Sequence, residues 1–478
     1  MSSWDTQYTI LPIVVALGVT LGLSSYFRKC AQRPDTIPTI PTWFPWLGID
    51  NALRFNKNPT LFMEEMRERH GPLYKFTLFG TNMVVLMHPY TLRQLERQSK
   101  ELSHHLPTVM AAQAASGLAE VDRIVDVMFN ELTPITVKGF SLQGMKTSGL
   151  REQFHKALEN ELNAITEPRT MLLSDFVRRT LYRASCMVMF GPTFPIDTYD
   201  RFKETIPQLS YLSSRWSRLP WSKAGRNRLV ILNSIIDYIR PWWDSDGEEN
   251  KEQIGEIMLA GLVAMKGSGL SIYEAASGIM TFLWGGNANI WFHLYWMLAQ
   301  ILLDGEVYDE VVREVRCSSG VTEMPLLDSV MWEALRWPYT LQQLRHANTD
   351  LNVNLDGTRY FIPKDSWVIP KVLNHDSRVY EQPFEFKPRR FLDNPSLPKP
   401  KSFGDGSHMC KGMNFALYQM PDFVATSLRR FDIKLVKRSG KERKIQQSES
   451  NSFLPDISKF EEFTIEVIPR SHPNQPTP

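Results

Sequence analysis

Cysteine is scarce in this chain. Cys30, Cys186, Cys317 and Cys410 are the only four among 478 residues, and each stands alone. That pattern excludes a disulfide framework and fits a reducing compartment. Excess charge is also missing: 54 Lys and Arg face 52 Asp and Glu. Nothing therefore selects a polyanion, and no nucleic-acid partner is expected. Internal repeats and long low-complexity runs are lacking too.

What is present starts at the N-terminus. Thr6 to Phe27 carries no charge, Asp5 precedes it, and Arg28, Lys29 and Arg33 follow it. About 20 apolar residues span a bilayer as a helix. A signal peptide places its positive charge first and ends in a small-residue cleavage site, and neither is seen. Residues 1–33 read as an uncleaved single-pass anchor, a buried core helix being the alternative. The positive-inside rule puts the remainder, residues 34–478, on the cytosolic side. Pro34, Pro38, Pro41 and Pro45 then favour a stiff, extended connector.

Hydrophobic residues make up 43% of the chain, enough for a sizeable core. Asn58 and Pro59 predict a helix start, with the helix running to His70 and ending at Gly71. Leu73 to Phe79 and Met83 to Met87 predict a hairpin around Gly80-Thr81-Asn82. The middle is helical in pattern, and strand-like pieces return near Leu351 to Val368 and near the C-terminus. The expected class is α+β, mainly α.

One helix stands apart. Ser271 and Glu274 form a capping box, and the apolar pattern runs on to Leu303. A continuous helix of that length measures about 48 Å. Between Ile279 and Leu303 only His293 can carry charge, which suits the middle of a protein. Gly285-Gly286 interrupts it at a cost of about 1 kcal/mol per glycine against alanine. A bulge, a groove or a flat ligand accounts for that cost, and so does helix packing.

Ser402 to Gly412 reads SFGDGSHMCKG. A buried structural cysteine leaves Gly404, Gly406 and Gly412 unexplained. A zinc site needs more than the two ligands of His408-x-Cys410. A Cys–His nucleophile lacks a readable oxyanion site. A haem thiolate ligand is the fourth reading. It calls for backbone N–H groups aimed at sulfur, close backbone approach, and a helix N-terminus beside the anion.

The loop resembles the cysteine loop of the cytochrome P-450 superfamily, Phe-x-x-Gly-x-Arg-x-Cys-x-Gly. Phe403, Gly406, Cys410 and Gly412 fall in register, and His408 replaces the arginine that pairs with a haem propionate. WEALRWP supplies the family's Glu-x-x-Arg as Glu333 and Arg336. FEFKPRRF supplies Phe386, Pro388, Arg390 and Phe391, with Arg390 completing the buried triad. Arg345 falls where a second propionate-binding arginine is common. The family's Trp-x-x-x-Arg is not found, and Lys146 is a weak stand-in.

The central helix departs from the pattern Ala/Gly-Gly-x-Asp/Glu-Thr. Gly285-Gly286-Asn287-Ala288-Asn289 puts Ala288 for the acid and Asn289 for the threonine. Asparagine can hold a water but relays protons poorly. This form resembles the branch containing the sterol 7α- and 12α-hydroxylases and prostacyclin synthase.

The resemblance implies a P-450 fold with an N-terminal transmembrane helix. Haem b would be held by Cys410 as axial ligand, with His408, Phe403 and Arg345 as further cofactor contacts. Gly286 and Asn289 would be the catalytic residues on the oxygen side, with Gly285 beside them, and Trp284, Tyr339 and Leu341 would form the substrate wall. It implies a monooxygenase using O2 and electrons from NADPH–cytochrome P-450 reductase. The substrate would be lipophilic and terpenoid- or steroid-like, in a biosynthetic, secondary-metabolite pathway at the endoplasmic reticulum membrane. The alternatives are a reductase-independent haem isomerase or dehydratase acting on a peroxide, and a non-catalytic haem-binding membrane protein. Arg215 to Arg228, RWSRLPWSKAGRNR, reads as a solvated loop or as a segment that dips into the membrane.

Overall fold

This computed structural model describes residues 37–44, 46–57, 59–87, 100–212, 214–318, 324–338, 344–355, 357–370, 374–404, 409–436 and 462–470. The expected anchor, Pro34, Pro45, Asn58, Tyr339, Leu341, Gly406 and His408 lie outside the described residues. Among the described residues no helix is long and apolar enough to cross a membrane.

Helices dominate, as the sequence pattern predicts. The strands are β1 (Leu73–Leu78), β2 (Thr81–Leu86), β3 (Leu102–Ser103), β4 (Arg169–Leu172), β5 (Arg345–Ala347), β6 (Leu351–Leu355), β7 (Thr358–Ile362), β8 (Trp367–Pro370), β9 (Phe431–Leu435) and β10 (Thr464–Pro469). The chain divides into two compact units. One combines Met1–Lys57, Leu61–Ser103 and Leu344–Lys371; the other combines Asn58–Thr60, His104–Gln343 and Val372–Pro478.

The first unit holds a five-stranded sheet in the order β1-β2-β8-β5-β3 and the hairpin β6-β7. The β1-β2 pair is antiparallel, with Leu78 opposite Thr81 and Thr77 opposite Asn82. The turn is thus Phe79-Gly80, one residue earlier than expected, and both residues have positive φ (48° and 83°). Such a two-residue turn matches the twist of the strands. Met83 to Leu86 are all buried, because β2 is an inner strand. The Pro38 to Pro41 connector is extended, as expected, but it docks. Ile40 N–H bonds Lys75 O at 2.8 Å, Lys75 N–H bonds Pro38 O at 2.8 Å, and Ile37 and Ile40 are buried.

The second unit is the helical body. The capping box forms as read: Ser271 Oγ accepts from Glu274 N–H, and the Glu274 carboxylate accepts from Ser271 N–H. The helix does not run unbroken to Leu303. Ile272–Asn287 stops, Ala288 and Asn289 form a turn, and Ile290–Leu303 resumes. Asn287 Nδ2 donates back to Leu283 O at 3.1 Å, a side-chain bond that competes with the backbone ladder. Beyond the break Phe292 N–H reaches Asn289 O at 3.2 Å, a tight three-residue step.

Candidate functional site

The glycine-rich loop closes through its backbone. Cys410 N–H donates to Phe403 O at 2.8 Å, and Gly404 N–H donates to Lys401 O at 3.0 Å. Gly404 has φ 80°, a left-handed position that favours glycine. The helix Met413–Arg430 begins directly after Gly412. Cys410 therefore lies at a helix N-terminus, where amide dipoles favour an anion.

The thiol feels two opposed influences. Burial pushes its pKa up, and the Gly412 backbone N–H bonded to it pulls the other way. Yet Cys410 is accessible to solvent. Both facts hold if the sulfur faces a recess, surrounded by protein but open on one side. A Cβ at Gly412 would meet nothing within 4 Å among the described residues. An uncharged thiol is the expected form on its own, and a metal cation bound to the sulfur would displace that proton.

The central helix offers a matching feature. Gly285 is the only exposed residue from Ala275 to Leu303. A Cβ there would also meet nothing within 4 Å among the described residues, whereas one at Gly286 would lie 3.1 Å from Met189 Cε. The pair is thus divided: Gly285 borders open space, and Gly286 serves packing. Asn289 Oδ1 is buried without a hydrogen-bond partner among the described residues.

Stacked rings join the two elements. Phe282, one turn before Gly285, lies 6.5 Å from Phe140, and Phe140 lies 5.3 Å from Phe415 on the helix after Cys410. The two stacks are nearly parallel, at 12° and 8°. Asn414 Nδ2 donates to Phe140 O at 3.2 Å. Sequence reasoning missed these aromatic contacts, because Phe140 is remote in the chain from both partners.

The triad assembles in full. Glu333 accepts from Arg336 Nη2 at 2.7 Å and Nε at 2.8 Å, and from Arg390 Nε at 3.0 Å. Lys387 N–H adds a further bond at 2.9 Å. Arg336 Nη1 also donates to Asn374 O at 3.0 Å and Pro383 O at 2.6 Å. All three side chains are buried. Ser402 links this network to the cysteine loop, donating to Leu335 O at 2.5 Å and accepting from Asn374 Nδ2 at 3.2 Å. Ser402 and Asn374 went unread; no motif marks them.

Other expected residues are placed as follows. Phe403 packs half-buried against the core. Trp284 packs into the core and meets Phe202 edge-on at 6.0 Å. Lys146 is exposed on the helix Leu142–Ser148. Arg345 is buried on β5, in the other unit. His293, the one residue between Ile279 and Leu303 able to carry charge near neutral pH, bonds Ala334 O through Nδ1 at 3.1 Å, and burial lowers its pKa.

These residues suit a flat ligand bound through sulfur. A thiol with a donated N–H, open space beside Gly412 and Gly285, and an unpaired amide oxygen provide a ligand, room and a polar contact.

Comparison with known proteins agrees. The profile of the family described as Cytochrome P450 matches residues 38–460. Cytochrome P450 7B1 of Mus musculus is 22% identical, covering 88% of this chain and 89% of its own. Prostacyclin synthase of Bos taurus is 24% identical, covering 85% and 89%. Lanosterol 14-alpha demethylase of Candida tropicalis is 22% identical, covering 84% and 86%. Among solved structures, retinoic acid bound cyanobacterial CYP120A1 aligns with a TM-score of 0.70 and 19% identity, covering 91% of this chain and 100% of that one.

Proposed function

The chain belongs to the cytochrome P450 family, and from that premise we propose that it oxidises a lipophilic, steroid- or terpenoid-sized substrate. It is a P450 oxidoreductase, and its cofactor is haem b with a cysteine thiolate as axial ligand. When bound, the haem supplies O–O cleavage and oxygen insertion into a C–H bond.

Cys410 is the residue that would hold the iron. The single observation behind that assignment is its thiol, bonded by Gly412 N–H just before the helix Met413–Arg430 and accessible to solvent. The Gly412 N–H withdraws charge from the sulfur and tunes it. Gly285 leaves room for the substrate beside the central helix. Asn289 Oδ1, with no partner among the described residues, would hold a water or a substrate hydroxyl. The triad and Ser402 keep the loop in place. Phe403 would border the haem, with His408 at a propionate.

We further assign O2 as co-substrate and NADPH–cytochrome P-450 reductase as electron donor, with residues 1–33 anchoring a catalytic body, 34–478, in the endoplasmic reticulum membrane. Exposed Trp43, Phe44, Trp46 and Phe79 in one unit, and exposed Trp216 and Trp221 in the other, support contact with lipid. A steroid or terpenoid is favoured by the sterol-related names of the relatives. A biosynthetic, secondary-metabolite role is the remaining part of this reading.

A second reading rests on Ala288 and Asn289, which supply neither acid nor hydroxyl for proton relay. It is rearrangement or dehydration of a peroxide without a reductase. Incubating the haem-loaded protein with sterols and terpenoids under labelled O2, with NADPH and reductase, decides the matter. Label in the product supports the monooxygenase. Conversion of a lipid peroxide without NADPH supports the isomerase.

A further inference from the structure

Arg228 closes the tryptophan-rich basic stretch singled out in the sequence, and the functional reading above leaves it unused. It is not a surface charge: only 4% of it is exposed. Its Nη1 donates to Ala114 O at 3.1 Å, to Leu212 O at 3.1 Å and to Ser217 Oγ at 3.3 Å. Ala114 lies in the last turn of the helix His105–Ser116, and Leu212 is the last residue of the helix Leu209–Leu212. The final carbonyls of a helix lack intrahelical partners and form the negative end of its dipole. One guanidinium, projecting from the helix Lys223–Asp244, thus caps two other helices.

Among the described residues no carboxylate is bonded to Arg228. The two helix ends take the place of a counter-ion. The surroundings fit this arrangement closely. Gly117 has φ 80°, and a Cβ there would lie 2.6 Å from Arg228 Nη2. A Cβ at Gly225 would lie 1.9 Å from Ser217 O. Ser217 Oγ also bonds Leu212 O at 2.9 Å, and Arg218 Nη2 donates to Leu118 O at 3.0 Å, a second tie between the same two segments.

The tied segments border the central helix. His105–Ser116 and Lys223–Asp244 both pack against Ile272–Asn287, the helix that carries exposed Gly285. Outside the tie lie exposed Trp216 and Trp221. We propose that Arg228 is a positioning residue: by capping both helix ends it latches residues 105–118 to the turns Leu209–Leu212 and Arg215–Arg218, and so governs how fast a lipophilic molecule reaches the open space beside Gly285. The passage of a lipophilic molecule rests on the functional reading above; the latch itself does not.

The test uses the full-length, haem-loaded protein and Arg228→Met, which keeps the bulk and removes the donors. Hydrogen–deuterium exchange is followed by mass spectrometry, and binding of 4-phenylimidazole by stopped-flow absorbance. Arg228→Met should raise exchange about tenfold in 105–118 and 209–218 together, and leave the exchange of 290–303 unchanged. It should also speed both association and dissociation of the probe severalfold. Arg228→Lys should fall between the two. Should Arg228→Met fail to fold, Ser217→Ala removes one acceptor and should shift both readings the same way by less. Unchanged exchange, or a rise in one segment alone, overturns the latch. Exchange that rises with unaltered probe kinetics overturns its control of access. Exchange needs no turnover, so a protein without oxidase activity still tests the latch.

Discussion

Around Glu333 the charged atoms are bonded several times over, whereas around Asn289 several buried polar atoms have no hydrogen-bond partner among the described residues. Glu333, Arg336 and Arg390 share a network that also takes in the backbone carbonyls of Asn374, Pro383 and Glu385. In the central helix, Trp284 Nε1, Asn287 Oδ1, Asn289 Oδ1 and Trp291 Nε1 are buried without hydrogen-bond partners among the described residues. A buried polar group left unpaired costs about 1–3 kcal/mol. The two regions therefore carry opposite burdens. The first fixes a loop. The second keeps polar atoms and open space near a break in the helix, at a cost to stability. A region that must hold one ligand in one place can be over-determined; one that must admit a substrate cannot.

The largest expected effect is on the bonded side. Glu333→Ala leaves two buried guanidiniums without their carboxylate and should cost about 3–5 kcal/mol, read as a drop in the urea midpoint. Asn289→Ala removes an atom that has no partner among the described residues; it should leave the urea midpoint unchanged or raise it, with a gain in stability of up to about 1–3 kcal/mol. Equal losses at the two sites would erase the contrast.

Gly285→Ala sharpens it. A Cβ there meets nothing, and alanine favours a helix over glycine by about 1 kcal/mol. Thermal stability of the haem-free protein should rise, while haem or azole affinity falls. A fall in both would place Gly285 in packing instead.

Both features were legible to different degrees. The spacing of Glu333 and Arg336 puts them on one helix face, and Arg390 follows from a short motif. The capping box was equally plain. The helix break was not: the apolar pattern passes through Ala288 without a change of period, because the helix is buried nearly all round. The turn at Phe79-Gly80 escaped for a related reason. Glycine marks the place, but nothing in Phe79 announces a left-handed residue. Division into two units depends on long-range packing, with Leu344–Lys371 returning to the N-terminal sheet, and local pattern carries no such information. The Phe282–Phe140–Phe415 stack and Ser402 were hidden for the same cause.

The smallest effect lies beside the cysteine helix. His155 Nδ1 meets Asp422 at 2.9 Å, with Glu159 at 3.6 Å from Nε2. The hydrogen bond to Asp422 raises the His155 pKa above its ordinary 6.5, against a smaller opposing effect of burial. A raised histidine adds stability that is complete below its unfolded pKa and disappears as pH rises through the folded value. Because His155 is over a third exposed, solvent screening holds the gain to about 1 kcal/mol or less. His155→Phe should flatten the decline in melting temperature as pH climbs above about 6.5; an unchanged slope would remove His155 from the account.

The sulfur of Cys410 is the point on which the function turns. Its most direct test is the absorption spectrum of the haem-loaded, reduced, CO-treated protein, wild type beside Cys410→His. The account predicts the thiolate-type band of the family in the wild type and its complete replacement by a histidine-type band in the variant. Identical spectra from the two proteins would show that iron is held by some other residue.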